Sequence, residues 1–191
     1  INPTEAELQS VKNIIPVYLE QRELKEIAGF IVGGKYDMVA EGVVQDVKST
    51  TAYTWLFGGR DEEHILQGSM YRWLNPTKIT EDHMVINYIF TDWQSFMAKT
   101  NPNYPQKRLE SKRLELLSLE ETEKYITDKL SMYRKYLHAP EEQIPECTEE
   151  ELWRSADQYK YYSDPNKTSG RSTRNFDDPK EAAAFLAEKG K

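Results

Sequence analysis

Three scarcities limit what this chain can be. It has a single cysteine, Cys147, which excludes a framework of internal disulfides. It has no apolar run long enough to span a bilayer and no signal-peptide pattern, so we expect a soluble, cytoplasmic protein with no membrane partner. Basic residues are in deficit, with 25 Lys and Arg against 32 Asp and Glu and a net charge of −7. This deficit counts against a protein that wraps duplex DNA, and less against a metal-dependent enzyme whose acidic residues bind the ion.

The length of 191 residues is enough for one domain, or for one domain with an appendage. Pro140 and Pro145 bracket an acidic connector, which predicts a core over 1–139 and an appendage over 140–191 packed on that core. The first residue is Ile1, which indicates a fragment or a trimmed chain.

Hydrophobic spacing, turn residues and capping boxes predict the elements. We expect a helix over 4–22 that opens with a Thr4–Glu7 capping box and is interrupted at Pro16. The further predictions, in chain order, are strands Ile27–Val32, Tyr36–Ala40 and Val43–Lys48 separated by turns at Gly33-Gly34 and Glu41-Gly42, a helix Asp61–Leu74, a strand His83–Phe90, an edge strand Lys112–Leu117, a helix from Ser118 to about Leu137, a capped helix after Thr148, a hairpin of Tyr159–Tyr162 with Arg171–Phe176, and a last helix from Pro179.

The stretch around the third predicted strand carries the chemistry. Because side chains alternate along a strand, Asp46 and Lys48 share one face, and the neighbouring strand delivers Asp37. The two aspartates can share one hard cation through oxygen, and Lys48 can hold a water or a phosphate oxygen beside it.

Two further pairs are candidates for substrate binding. The hydroxyls of Ser49 and Thr50 follow the strand directly and can either donate to a phosphate backbone or form local turns. Gln67 and Tyr71, four residues apart on the predicted helix, lie beside its apolar stripe. A glutamine at such an edge needs a partner, which a nucleic-acid backbone or a metal-bound water would provide.

Asp37, then Asp46-Val47-Lys48, then Gln67-Gly68-Ser69-Met70-Tyr71 together resemble the PD-(D/E)xK nucleases, in particular the RecB-like branch with its phage-encoded exonucleases. The marks of that family are an aspartate after a glycine-containing turn, a (D/E)-x-K strand and a downstream Q-x-x-x-Y helix, in this order. The motif-bearing part covers roughly residues 20 to 75, and a looser likeness runs to the end of the chain.

The resemblance implies an α/β fold: a mixed central sheet flanked by helices (a restriction-endonuclease-like core), here with a C-terminal hairpin–helix appendage. It implies a Mg²⁺- or Mn²⁺-dependent deoxyribonuclease, an exonuclease of phage recombination or DNA processing. Its partners would be DNA and other phage recombination or replication proteins. Asp37, Asp46 and the carbonyl of Val47 would bind the ion, Lys48 would act on the attacking water, and Gln67 and Tyr71 would position the DNA backbone.

Two further features of the family would involve the two ends of this sequence: a helix before the strands and a cysteine cluster after Cys147. A helix ahead of the strands often adds a carboxylate or histidine to the metal, for which Glu5, Glu7, Glu20 and Glu23 are the candidates. Cys147 by itself predicts a small buried apolar residue. The resembling phage proteins often continue into a short cysteine cluster, which implies a zinc or iron–sulfur site through Cys147 in a longer chain.

Two other interpretations of the sequence stay open. In one, the chain is a catalytically incomplete nuclease-fold module that binds DNA or serves a structural role. In the other, it is an acidic interaction domain in which Asp46 and Lys48 form a plain cross-strand salt bridge.

Overall fold

The computed structural model describes residues 1–10, 14–57, 60–148, 151–152, 157–164, 166 and 168–189. The chain divides into two compact units, Ile1–His138 and Ala139–Lys191, one residue from the division expected above. In the part of the chain that is described, no helix is long and apolar enough to cross a membrane.

The first unit is a mixed α/β structure whose helices flank a mixed central sheet. Its elements are α1 (Glu5–Ser10), β1 (Val17–Leu19), β2 (Arg22–Ile27), β3 (Phe30–Lys35), β4 (Met38–Ala40), β5 (Val43–Thr50), α2 (Ala52–Phe57), α3 (Asp61–Leu74), β6 (His83–Phe90), α4 (Ser95–Thr100), β7 (Leu109–Glu115) and α5 (Leu119–Tyr136).

The central sheet has five strands in the order β1-β4-β5-β6-β7. β5 and β6 run parallel, and the other neighbouring strands pair antiparallel. A parallel pair needs a crossover connection, which α2 and α3 provide because they lie between β5 and β6 in the sequence. The C-terminal ends of β5 and β6 therefore meet at one edge of the sheet.

A row of buried apolar side chains crosses all five strands in register, and it forms the centre of the core. The row consists of Tyr18, Val39, Val44, Met84 and Leu114. Because side chains alternate along a strand, the residues two positions further on point to the same face and form the next row.

Helix α3 packs closely against the sheet and against the β2–β3 hairpin. A methyl group added at Gly68 would lie 2.5 Å from Met84 Sδ and 2.8 Å from Leu116 Cδ2. One added at Gly34 on β3 would lie 2.9 Å from the Tyr71 ring. These two glycines let the helix approach both surfaces, which fixes the residues that α3 presents.

The predicted turn at Gly33-Gly34 is wrong. Both glycines lie inside β3, and the predicted strand Ile27–Val32 is interrupted by the true turn at Ala28-Gly29. Ala28 and Gly29 have φ of 51° and 78°, the left-handed pair that a two-residue hairpin turn requires. The predicted strand Tyr36–Ala40 is also shorter, since β4 begins at Met38.

The predicted helix over 4–22 is also wrong beyond its first turns. The Thr4–Glu7 capping box is present, with Thr4 N–H donating to Glu7 Oε2 at 2.8 Å and Glu7 N–H to Thr4 Oγ1 at 3.3 Å. The helix, however, is described only over Glu5–Ser10. Val17–Leu19 form β1, because antiparallel pairing with β4 buries Tyr18 in the core row.

Several elements lie where the sequence places them. The turn at Glu41-Gly42, the helix Asp61–Leu74 and the strand His83–Phe90 are confirmed. The edge strand is confirmed but runs from Leu109 to Glu115 rather than from Lys112 to Leu117. The capping box that starts α5 is present in both directions.

The second unit contains a 3₁₀ turn (Glu141–Gln143), β8 (Tyr159–Tyr161), β9 (Arg174–Phe176) and α6 (Pro179–Lys189). The strands pair antiparallel, and α6 starts at Pro179 as predicted. Thr148 and Glu151 make both hydrogen bonds of a capping box, but most of the helix predicted after them lies outside the described residues.

Cys147 is exposed, so the prediction that it is buried is wrong. The described residues around it, from Glu141 to Thr148, are all exposed and give it nothing to pack into. The zinc or iron–sulfur site in a longer chain stays a prediction.

Candidate functional site

The second row across the sheet has charged side chains on β5 and β7, on either side of the buried Ile86 on β6. Asp46 follows Val44 on β5, and its register partner on β6 is Ile86, which in turn pairs with Lys112 on β7. The carboxyl group of Asp46 is therefore carried into the protein interior by the strand, and only 4% of the residue is exposed. Burial of a carboxylate is costly unless a cation or hydrogen-bond donors compensate it.

One described cation compensates Asp46. Lys48 lies two residues along the same face of β5, and its Nζ is 2.8 Å from Asp46 Oδ2. This contact is an ion pair within one strand. The cross-strand salt bridge expected for an acidic interaction domain is therefore wrong in its geometry. No described group donates a well-oriented hydrogen bond to Oδ2, and this buried oxygen keeps acceptor capacity for a further ligand.

Asp37 lies in the bend between β3 and β4, where the ladder between β4 and β5 ends. The last registered pair is Met38 with Gln45, so Asp37 and Asp46 are the residues directly beyond the end of this ladder on the two sides. Asp37 Oδ2 accepts a hydrogen bond from Val47 N–H at 3.2 Å, in place of the next ladder partner. Since the amide and carbonyl of one strand residue point to the same side, the Val47 carbonyl faces the side on which Asp37 lies.

A cleft of about 740 Å³ opens at the C-terminal ends of β5 and β6, and Lys48 lines it, whereas Asp37 and Asp46 are not among its lining residues. Its walls come from β5, α2, α3, β6 and β7. The lining residues are Lys48, Ser49, Thr50, Thr54, Trp55, Arg60, Asp61, Glu63, His64, Gln67, Tyr88 and Lys112.

The structure brings four of the predicted site residues to the cleft wall. Lys48, Ser49, Thr50 and Gln67 all line it. The Thr50 carbonyl accepts hydrogen bonds from the Thr91 amide at 2.9 Å and hydroxyl at 3.1 Å, which fixes the end of β5 next to the segment that follows β6.

Gln67 and Tyr71 are placed differently from each other. Gln67 Nε2 donates to the Tyr71 hydroxyl at 2.9 Å, so the partner that the glutamine needs comes from its own helix. The Tyr71 ring packs edge-on against the buried ring of Tyr36, with centroids 6.1 Å apart. Tyr71 therefore holds the Gln67 side chain, while Gln67 itself faces the cleft.

The residues that complete the cleft were not predicted to lie together, although the basic residues of the edge strand, Lys112 among them, could be expected to flank DNA. Lys112 Nζ contacts Asp61 Oδ2 at 2.6 Å and joins the edge strand to the start of α3. His64 precedes Gln67 by one helical turn and lies on the same wall. Trp55 and Tyr88 form the aromatic side, with ring centroids 5.6 Å apart. The period of α3 could have identified His64, but the others come together only through the fold.

The electrostatics of the cleft act on two neutral groups. Burial, together with the nearby positive charge of Lys48, lowers the pKa of His64. Burial, together with the charges of Asp61 and Asp46, raises the pKa of Tyr88. The imidazole and the phenol therefore stay uncharged beside the Asp46–Lys48 pair near neutral pH.

The upstream carboxylates considered for the metal have other contacts. Glu7 caps α1, Glu20 pairs with Lys35, and Glu23 pairs with Lys78 at 2.8 Å. Glu5 is exposed in the first turn of α1. Three of the four carboxylates are thus engaged elsewhere, and the fourth, Glu5, lies exposed on α1.

Among the described residues, one group of three His, Cys, Asp or Glu side chains is compact enough to hold an ion. It consists of Glu81, Asp82 and His83 at the start of β6, with ligand atoms within 4.8 Å of one another. Glu81 and Asp82 are exposed, and His83 Nδ1 lies 3.7 Å from Asp82 Oδ1. None of the three lines the cleft described above.

No protein-family model matches the chain, and no curated protein matches it. The crystal structure of SSO0001 is similar to it over 61% of this chain and 50% of that chain, with 18% sequence identity and a TM-score of 0.40. The chain thus spans about half the length of SSO0001.

Proposed function

We propose that the chain is a metal-dependent DNA nuclease with a restriction-endonuclease-like core, and that Asp37, Asp46 and Lys48 form its catalytic centre. The observation that carries the proposal is the buried Asp46 carboxylate, whose Oδ2 contacts Lys48 Nζ and retains acceptor capacity. A buried ion pair of this kind adds little to stability by itself, so its placement at a cleft favours a chemical role.

The donor set fits Mg²⁺ or Mn²⁺, since these ions prefer carboxylate, carbonyl and water oxygen. Asp37 and Asp46 would hold the ion, with the carbonyl of Val47 as a third protein ligand. The ion, when bound, supplies Lewis-acid polarisation of a phosphate oxygen.

The other residues act on substrate and water. Lys48 Nζ, 2.8 Å from Asp46, is placed to orient the attacking water and to offset charge that develops on the phosphate. Ser49 and Thr50 supply hydroxyls at the cleft wall, and Gln67, held by Tyr71, supplies an amide to the DNA backbone.

The biological setting we propose follows the sequence resemblance alone. It is exonucleolytic processing of DNA in phage recombination, in the cytoplasm of the host cell, next to other recombination or replication proteins. The acidic net charge of −7 is compatible with this, because only the cleft has to meet DNA.

A second candidate is a catalytically incomplete nuclease-fold module that binds DNA or has a structural role. The observation that favours it is the engagement of Glu7, Glu20 and Glu23 with other partners, which leaves two described carboxylates at the proposed metal site. Such a module would bind DNA at the cleft without cleaving it.

The test is degradation of linear DNA by the wild-type chain with Mg²⁺, with Mn²⁺ and with a chelator, compared with Asp46→Asn. We expect metal-dependent degradation that Asp46→Asn abolishes. The matched control is Asp128→Asn, which alters an exposed Asp–Lys pair of 2.6 Å on α5 and should leave activity unchanged. DNA binding by the wild-type chain without degradation under any metal would select the incomplete module.

A further inference from the structure

Trp55 gives the cleft an aromatic wall that the proposed chemistry does not use. It lies on α2, the short helix directly after β5, and 36% of the residue is exposed. Its ring meets Tyr88 and Phe90 edge-on, with centroid distances of 5.6 Å and 5.5 Å and interplanar angles of 82° in both cases. Tyr88 and Phe90 themselves are nearly parallel to each other on β6.

The position of α2 is fixed at its first residue. Ala52 is buried, and its amide donates to Asp92 Oδ1 at 2.7 Å, which ties the helix to the segment after β6. Trp55 is thus held between two supporting rings and an anchored helix, while part of its surface remains in the cleft. A rigid aromatic face in solvent suits stacking with a flat ligand group at low entropic cost.

The polar groups beside Trp55 suit a phosphate chain. Lys48, Arg60 and Lys112 line the same cleft, where Lys112 pairs with Asp61 and Arg60 with Glu63, and Ser49, Thr50 and Thr54 bring hydroxyls. An exposed aromatic side chain beside lysine and hydroxyl groups suits single-stranded nucleic acid, because every base has a face that stacks and its phosphates can contact the polar groups. A paired base inside a duplex is already stacked on both faces and cannot use the ring.

We propose that Trp55 is a base-stacking platform and that the cleft takes an unpaired DNA strand, with one base against Trp55 and its phosphates toward Lys48. This inference rests on the proposed function and adds the substrate class, DNA with single-stranded ends. It assigns Trp55 a role in specificity rather than in the chemical step.

The first experiment measures binding by fluorescence anisotropy of a labelled oligodeoxythymidylate, with EDTA present to prevent cleavage. Trp55→Leu keeps apolar bulk on Tyr88 and Phe90 but loses the extended ring, and Trp55→Phe keeps a ring. We expect Trp55→Leu to weaken binding roughly 5- to 100-fold, the effect of losing one base–aromatic stack, and Trp55→Phe to weaken it less. The control Tyr125→Ala truncates an aromatic residue of the same 36% exposure on α5 and should bind like wild type.

A set of oligonucleotides with one abasic site moved along the chain then locates the stacked base. At one position the abasic site should weaken binding to wild type and have no further effect on Trp55→Leu, which is the coupling expected of two groups in contact. A structural role of Trp55 alone would lower affinity for every oligonucleotide by the same factor.

The second experiment compares kcat/KM for a blunt duplex and for the same duplex with a single-stranded overhang. Wild type should prefer the overhang, and the preference should fall toward unity in Trp55→Leu. Degradation by wild type with equal rates on both substrates, or full oligonucleotide affinity in a folded Trp55→Leu, overturns this inference alone. A wild-type chain that neither binds nor degrades DNA overturns the proposed function as well.

Discussion

Replacement of Gly68 by alanine tests how the fold positions the cleft. The added methyl would lie 2.5 Å from Met84 Sδ and 2.8 Å from Leu116 Cδ2, so α3 or its neighbours must shift. Met84 is completely buried and cannot swing into solvent. Overpacking of this kind costs about 1–3 kcal/mol. The higher helix propensity of alanine offsets about 1 kcal/mol of this destabilisation.

The expected net effect of Gly68→Ala is a loss of about 1 kcal/mol in the free energy of unfolding, or about 3 °C in Tm for a domain of this size. Circular dichroism during thermal and urea unfolding measures it. Gly33→Ala is the matched control, because its methyl would meet Leu24 Cδ2 at 2.5 Å, but Leu24 is 61% exposed and free to rotate away. This control should unfold at or slightly above the wild-type Tm. A Gly68→Ala chain as stable as wild type, or equal losses in both variants, would refute the close packing of α3 on β6.

Three further predictions concern the site and the framework. Lys48→Ala should lower turnover by about 10²-fold while DNA affinity stays nearly unchanged, since Lys48 acts on charge that develops in the transition state; steady-state kinetics at wild-type rates would make Lys48 an ordinary surface lysine. The pKa of His64 is lower in the folded chain than its ordinary value of 6.5, so the unfolded chain binds more protons below that pH and the free energy of unfolding falls on acidification. Urea titrations from neutral to acidic pH should give a shallower decline for His64→Gln, and identical slopes would contradict the placement of His64. Ser118→Ala removes the cap of α5 and should cost about 1 kcal/mol in the same assay.

Elements with local signals could be predicted from the sequence, and elements decided by distant pairing could not. The helix Asp61–Leu74 and the strand His83–Phe90 have periodicity that suffices by itself. The sequence predicts a helix through Val17–Leu19 because the apolar residues before them recur at helical spacing. Pairing with β4 makes these residues a strand instead. The sequence predicts a turn at Gly33 and Gly34. In the structure, Gly34 lies in a strand, and the close approach of the Tyr71 ring leaves no room for a side chain there.

The candidate site likewise contains residues that local sequence predicts and residues that only the fold brings together. Asp46 and Lys48 share a face through strand alternation, which the sequence shows directly. Asp37 could be assigned to the neighbouring strand, but its hydrogen bond to the Val47 amide depends on where the ladder ends. The positions of Trp55 and Lys112 in the cleft could not be predicted, because these residues reach it from α2 and from the edge strand β7.

A manganese soak of crystals, with anomalous scattering recorded at the manganese edge, tests the central claim most directly. We expect an ion in contact with both Asp37 and Asp46, since a divalent cation relieves the repulsion between two neighbouring carboxylates. Asp46→Asn should lose the peak. A peak confined to Glu81, Asp82 and His83, or carboxyl groups of Asp37 and Asp46 too far apart to share one ion, would contradict the assignment of the catalytic centre.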